Sequence, residues 1–335
     1  MNKEISLLVI IVMLQVGSLF SQSSGPYRNF TISKLTLDDG LSQGSNYFRF
    51  EDSKGFMWIT ANDALNRYDG KHVKVYNLDK YFKDCPPLQQ GYGFAEDDEH
   101  NIYVGSTRGL YIYHRNTDKF TLEKIFKTPD DVAMPIGFRE GKIWCFNRLW
   151  QIATYDVKSK RVDSITQISL DSISSLNIYA SSAAFYFRYP FIDKENTIWM
   201  ISQNNIASYH ILSKERSYPL QTLLSNGNTF FYSCFYDAAN NKIFCGTQDG
   251  ILEYELCSKA IRHIRKIANR LLGYVYNVIV HEGLLACRKE NGGLFIVDIE
   301  NKEIVLEELH EPYSYLGTYQ YGFDKSNRLW MGSDG

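Results

Sequence analysis

Short apolar runs bounded by turn residues recur along this chain, and the pattern returns about every 45 residues. Its fullest form is Glu51-Asp52-Ser53-Lys54-Gly55-Phe56-Met57-Trp58-Ile59-Thr60, followed by Leu65-Asn66-Arg67-Tyr68-Asp69-Gly70. Tyr103, Trp144, Trp199, Phe244, Leu285 and Trp330 take the place of Trp58 in later copies, at intervals of 45, 41, 55, 45, 41 and 45 residues. In the first copy, Asn46 to Glu51 alternates as an inner strand, Asp52 to Gly55 turns, and Phe56 to Ala61 reads as a buried second strand. A third strand is expected over Leu65 to Tyr68 and an outer one over His72 to Tyr76. Four antiparallel strands in a unit of this length are the plan of a propeller blade, and repetition at this period marks the whole architecture. The expected fold is an all-β propeller of four-stranded blades, seven of them started and the last incomplete at Gly335.

The residues that recur have local reasons. Six positions before the anchor stand Asp52, Asp97, Asp193 and Asp324, with Asp237 displaced by one. An aspartate there opens a turn by accepting backbone N–H groups two residues on, and Gly55, Asn196 and Asn327, three residues later, suit a left-handed backbone. Aspartates also serve acid–base and metal chemistry, but recurrence at one turn points to structure. Ten positions after the anchor stand Tyr68, Tyr113, Tyr209, Tyr254 and Phe295, with Tyr155 displaced by one. An aromatic at the same place in each unit predicts packing between neighbouring sheets, each ring burying ~150–250 Å².

The two ends differ from the middle. Tyr27 to Thr36 matches an outer strand that lacks the three strands before it, and the copy at Trp330 stops before its third strand. Joining them would close a ring that still misses one strand, so the sequence predicts a piece of a longer protein. Ahead of this lies Lys3, an apolar run from Ile5 to Val16, and a stretch from Gly17 to Ser23 that carries the small residues Gly17, Ser18, Ser21 and Ser23. That order describes an export leader over residues 1–21 and a propeller over 22–335; an uncleaved anchor is the alternative. The run falls short of the roughly 20 apolar residues of a comfortable membrane span.

Composition refines this reading. Aromatics make up 15% of the chain, which favours strands. A formal charge of −2 gives no attraction to polyanions, so nucleic acid is not an expected partner. Export permits disulfides, yet Cys145 and Cys245 fill the apolar slot just after an anchor and read as small core residues. Cys234 and Cys245 flank an expected hairpin turn and can stand opposite each other. The spacing of the six cysteines and seven histidines shows no metal motif, and neither a nucleophile elbow nor a phosphate loop is present. No cofactor and no catalytic group are expected.

Asp39-Gly40-Leu41-Ser42, then Asp52-x-x-Gly55-Phe56-x-Trp58-Ile59-Thr60, then Leu65-Asn66-Arg67-Tyr68-Asp69-Gly70 resemble the two-component regulator propeller repeat. The resemblance runs through the exported part, best in the first unit and weakest in the third and sixth. In the first unit Ala61-Asn62-Asp63-Ala64 departs from the family's usual loop, whereas Trp330-Met331-Gly332-Ser333-Asp334-Gly335 comes closer to it. The resemblance implies the periplasmic sensor part of a hybrid histidine kinase and response regulator system. Such sensors are followed by a second propeller, a β-sandwich, a membrane helix and a kinase, and many recognise oligosaccharides. None of these partners lies within this chain, so kinase activity would belong to them. A homodimer is plausible for such sensors.

In a propeller, second-to-third-strand loops and the residues leading into inner strands gather on one face, where a ligand is best placed. Here the first set supplies Asn62, Asp63, Arg108, Arg148, Gln203, Gln248 and Arg288, and the second Tyr92, Tyr232, Tyr274, Tyr276 and Tyr319. Aromatic rings suit the apolar faces of sugars, while amides, arginines and carboxylates suit their hydroxyl rims. The arginines can also grip a carboxylate or sulfate. Polar loops are ordinary on any surface, so two other readings stay open. One is a structural or protein-interaction propeller without a small ligand; the other is an exported carbohydrate-active enzyme.

Overall fold

The computed structural model describes residues 9–14, 30–62, 64–82, 91–127, 132–147, 151–167, 190–201, 206–219, 229–267, 269–289, 294–307 and 321–332. The chain is all-β, with four-stranded antiparallel propeller blades. The first blade runs through Asn46–Glu51, Met57–Ala61, Leu65–Tyr68 and Val73–Tyr76, close to the expected bounds. Five more contiguous blades follow, beginning at Phe94, Met134, Phe191, Phe231 and Val275, each with its strands paired in chain order.

Among the described residues, the expected seven blades are corrected to six built from contiguous sequence. Tyr321–Phe323 and Leu329–Met331 do not found a blade of their own but pair with strands from the chain's beginning. Val9–Leu14 pairs antiparallel with Leu329–Met331, placing Ile11 opposite Trp330, and Phe30–Leu35 lies beyond it. The outer-strand role expected for Tyr27 to Thr36 is thus filled from Phe30 onward. The apolar run of the N-terminus occupies the third-strand place.

The blades fall in two compact units, one within Leu35–Ala180 and the other within Val9–Lys34 and Ser181–Met331. The first unit holds the first three blades; the second holds the other three and the mixed sheet. In each unit, an anchor ring packs on the recurring aromatic of the next blade. Trp58 lies 4.9 Å from Tyr113, Tyr103 lies 6.3 Å from Tyr155, and Trp199 lies 5.9 Å from Tyr254, between ring centres. Trp58 is fully buried and Trp199 nearly so. At ~25 cal/mol per Å², a buried ring of this size contributes roughly 4–6 kcal/mol before entropy is counted.

The recurring aspartates hold their anchors directly. Backbone N–H groups of Lys54 and Phe56 donate to Asp52 Oδ1 at 2.9 Å, while Trp58 Nε1 donates to Oδ2 at 2.8 Å. Asp193 is bonded in the same way by Glu195, Thr197 and Trp199, and Asp324 by Ser326, Arg328 and Trp330. In the second blade the Tyr103 hydroxyl donates to Asp97 at 2.9 Å. The six-residue spacing is therefore a clasp between a turn and the strand that follows it. Where one half is missing the clasp is not made: Phe138 stands six residues before Trp144, and the buried Trp144 Nε1 has no partner among the described residues.

The left-handed residue recurs more faithfully than the sequence suggests. Gly55, His100, Gly141, Asn196, Asn241, Glu282 and Asn327 all stand three before an anchor and have φ between 46° and 84°. Elsewhere in the repeat phrase, Asn66 is fully buried and accepts from the Ser42 N–H at 3.0 Å, so the two halves of the motif hold each other. Arg67 lies over the rings of Phe56 and Trp58 and donates to the Tyr113 hydroxyl. These repeat residues serve the scaffold.

Candidate functional site

Two blades present their second-to-third-strand loops on the same tight turn. In the second blade the Ser106 hydroxyl donates to the Gly109 carbonyl at 2.8 Å and accepts from the Arg108 N–H at 3.0 Å. In the fifth, Thr247 bonds the Gly250 carbonyl and the Asp249 N–H in the same way. Gly109 and Gly250 have φ of 127° and 108°, and a Cβ on either would lie within 2.4 Å of a carbonyl oxygen of the adjoining outer strand. Only glycine closes this turn against the sheet. The turn sets Arg108 at an exposed tip in the first unit and Gln248 and Asp249 in the second.

In the second unit three expected tyrosines meet. Tyr232 lies 4.8 Å from Tyr276 and 6.0 Å from Tyr274, while Tyr274 and Tyr276 stack at 6.3 Å and 18°. They come together because Tyr232 stands near the start of Phe231–Asp237, and Tyr274 and Tyr276 flank the start of Val275–His281. Tyr274 is 39% exposed and Phe230, just before Tyr232's strand, 41%. Phe230 donates its N–H to Gln248 Oε1 at 2.7 Å, tying the cluster's edge to the loop above it. Arg288 lies opposite the buried Asn277 in the sixth blade.

Other expected residues are placed differently. Tyr92 is 2% exposed, so its ring belongs to the core of the first unit and offers no face to a ligand. Asn62 is half-buried. Asp63, Arg148, Gln203 and Tyr319 lie outside the described residues.

Sequence reasoning missed Phe230 and a basic cavity in the second unit. The cavity, of about 660 Å³, is lined by Arg262, His263, Arg265, Lys266, Asp298 and Lys302, among others. Two of its cations have acidic partners: Arg262 pairs with the nearly buried Glu253, and Arg265 donates to Asp249 at 2.6 Å. Burial and the neighbouring Arg265 lower His263 below the usual histidine range, leaving it neutral at neutral pH. The run Arg262-His263-Ile264-Arg265-Lys266 is visible in the sequence, but it starts on the outer strand Ile261–Ile264 and continues into Lys266–Ile267, away from the loops where a ligand is expected. Among the described residues no group of three or more His, Cys, Asp or Glu could hold a metal ion, and no helix is long and apolar enough to cross a membrane.

No family model matches the chain. Over 68 residues, 20% of this chain, it is 37% identical to Histidine kinase P4 of Formosa agariphila, a stretch that covers 5% of that protein. In fold it is similar to the extracellular domain assigned to a hybrid two-component system of B. thetaiotaomicron, with a TM-score of 0.65 at 15% identity over 90% of this chain. A second such domain from B. thetaiotaomicron, assigned to a one-component system, gives 0.64 at 17% identity over 88%. PorZ, a surface component of the type-IX secretion system of Porphyromonas gingivalis, gives 0.64 at 13% identity over 90%. The chain spans 38–48% of these three solved chains. In one stretch of sequence the chain is thus similar to a histidine kinase, and in its fold to extracellular domains assigned to a one-component and a hybrid two-component system.

Proposed function

We propose that this chain is the ligand-binding input propeller of a periplasmic two-component sensor, that it recognises an oligosaccharide, and that it relays occupancy to a kinase elsewhere in a longer protein. The observation that carries the ligand reading is the partly exposed cluster of Tyr232, Tyr274 and Tyr276, edged by Phe230 and Gln248. Flat rings at several angles suit the apolar C–H faces of successive sugar units, and the amide and carboxylate of the adjoining loop suit their hydroxyls. Arg288, in the same unit, remains a candidate for a further contact. The chain binds and does not cleave. Residues 1–21 act as an export leader, and their removal takes Val9–Leu14 out of the mixed sheet.

Calorimetric titration against a panel of neutral, carboxylated and sulfated oligosaccharides tests this. Saturable heat is expected with at least one of them, weakened at least tenfold in the double variant Tyr232→Ala, Tyr274→Ala. Unchanged affinity in that variant would remove the tyrosine cluster as the site. No heat across the panel would favour a protein-interaction propeller. Release of shorter sugars, seen by chromatography, would overturn the non-catalytic reading.

A further inference from the structure

Cys234 and Cys245 face each other across the first hairpin of the fifth blade. They are direct partners in the antiparallel pairing of Phe231–Asp237 with Lys242–Thr247, and their Sγ atoms stand 2.6 Å apart. Directly opposed residues of an antiparallel pair have Cα atoms ~4.5–5.5 Å apart, inside the ~4.4–6.8 Å range that a disulfide spans. The side chains already point at each other, so closing the bond needs no backbone movement.

We propose that Cys234 and Cys245 form a cross-strand disulfide when the chain meets a disulfide oxidant. The oxidant is a small or protein disulfide, the class that acts on exported proteins. Cys234, the half-buried member of the pair, attacks it as thiolate, forming a mixed disulfide and releasing one thiol. The buried Cys245 then attacks the Cys234 sulfur and releases the second. The two protons lost by the cysteines end on the two released thiols, and the two electrons reduce the oxidant.

The place of the bond in the blade gives it a structural task. Phe244 has no ring donor, so the fifth blade has no counterpart of the bond between Asp52 and Trp58. A disulfide one residue after Phe244 staples the same two strands covalently. It also joins the strand that carries Tyr232 to the strand that leads into Gln248, which would fix the aromatic cluster against its loop. Cys145 and Cys287, buried after or near other anchors, serve as internal controls.

The full chain, kept folded, is treated with oxidised glutathione, its remaining thiols are blocked, and its peptides are mapped by mass. The expected product joins the peptides of Cys234 and Cys245 and is lighter by two hydrogens than the reduced pair. Adding a reductant should lower the heat-unfolding midpoint of the oxidised protein, and Cys234→Ser should abolish that shift. Blocked thiols at both positions after oxidation, or a bond from either to Cys85 or Cys257, would overturn the proposal. The mapping needs no variant, so the test holds whether or not Cys234→Ser folds well. It is also independent of glycan binding and of the leader.

Discussion

The first and fifth blades solve the same problem with different chemistry. In the first, a turn aspartate, an anchor tryptophan and a cation from the next blade meet at one buried carboxylate: Asp52 takes bonds from Trp58 and from Arg115 Nη2. In the fifth, the turn is kept and the clasp is lost. Asp237 accepts from the backbone of Ala239 and Asn240 and from the Asn240 amide, all within its own turn, because Phe244 has nothing to donate. What holds the fifth blade instead lies across its strands: Lys242 and Arg262 converge on Glu253, and Cys234 faces Cys245. The shared element is the turn; the polar link from turn to anchor is optional and can be replaced.

The strongest way to break this comparison is to remove the carboxylate at the centre of the clasp. Asp52→Ala leaves the Trp58 N–H, two backbone N–H groups and the Arg115 guanidinium without their acceptor. Breaking a buried pair in this way costs about 3–5 kcal/mol. Asp237→Ala, which loses a turn cap alone, should cost about 1 kcal/mol. Denaturant unfolding of both variants measures the difference, and equal losses would dissolve the distinction between the two blades.

The next test compares two tryptophans that look alike in the sequence. Trp199 donates to Asp193 at 2.7 Å, whereas the buried Trp144 Nε1 donates to nothing among the described residues. Trp199→Phe should cost about 1.5–3 kcal/mol, the usual range for a hydrogen bond to a charged group. Trp144→Phe removes a donor that was already unsatisfied, so its loss should be smaller by about the same amount. A larger loss for Trp144 would mean that the ring's shape, and not its N–H, carries the stability.

Much of this scaffold is legible in the amino-acid pattern. The period of the anchors locates the second strands, because a strand buried on both faces needs a continuous apolar run. The aspartate before the turn and the aromatic after the anchor read as structural residues, and the blades use them so. Two things are hidden. One is the direct bond from aspartate to anchor ring, since spacing in sequence does not show which atoms meet across a turn. The other is the left-handed position in the third, fifth and sixth units, where Gly141, Asn241 and Glu282 do the same work with unlike side chains. The site is less legible still. Tyr232 and Tyr274 stand 42 positions apart in the chain, and only the packing of their strands brings the rings together. Tyr92 has the same position in its own unit, yet lies in the core.

Acid gives the smallest effect but isolates the charge of the clasp. Burial pushes the Asp52 carboxyl upward, but the bonds from Trp58 and Arg115 and from the Phe56 N–H outweigh it and hold the group below the usual carboxylate range. Burial likewise opposes Asp118, which Lys74, Tyr76 and Tyr113 bring down to about 2. A carboxylate with a lowered folded-state pKa adds stability that is complete above its unfolded value, ~3.9, and is lost as pH falls through the folded one. Stability should therefore decline below pH ~4. Asp52→Asn keeps the shape and one acceptor oxygen, sets an NH2 against donors in place of the other, and cannot titrate, so its stability should fall less steeply over that window while starting from a lower value at neutral pH. Denaturation midpoints measured from neutral pH down to pH ~3 give both slopes. Parallel profiles would mean that the carboxylate acts in the clasp through its shape and hydrogen bonds and that its charge is dispensable.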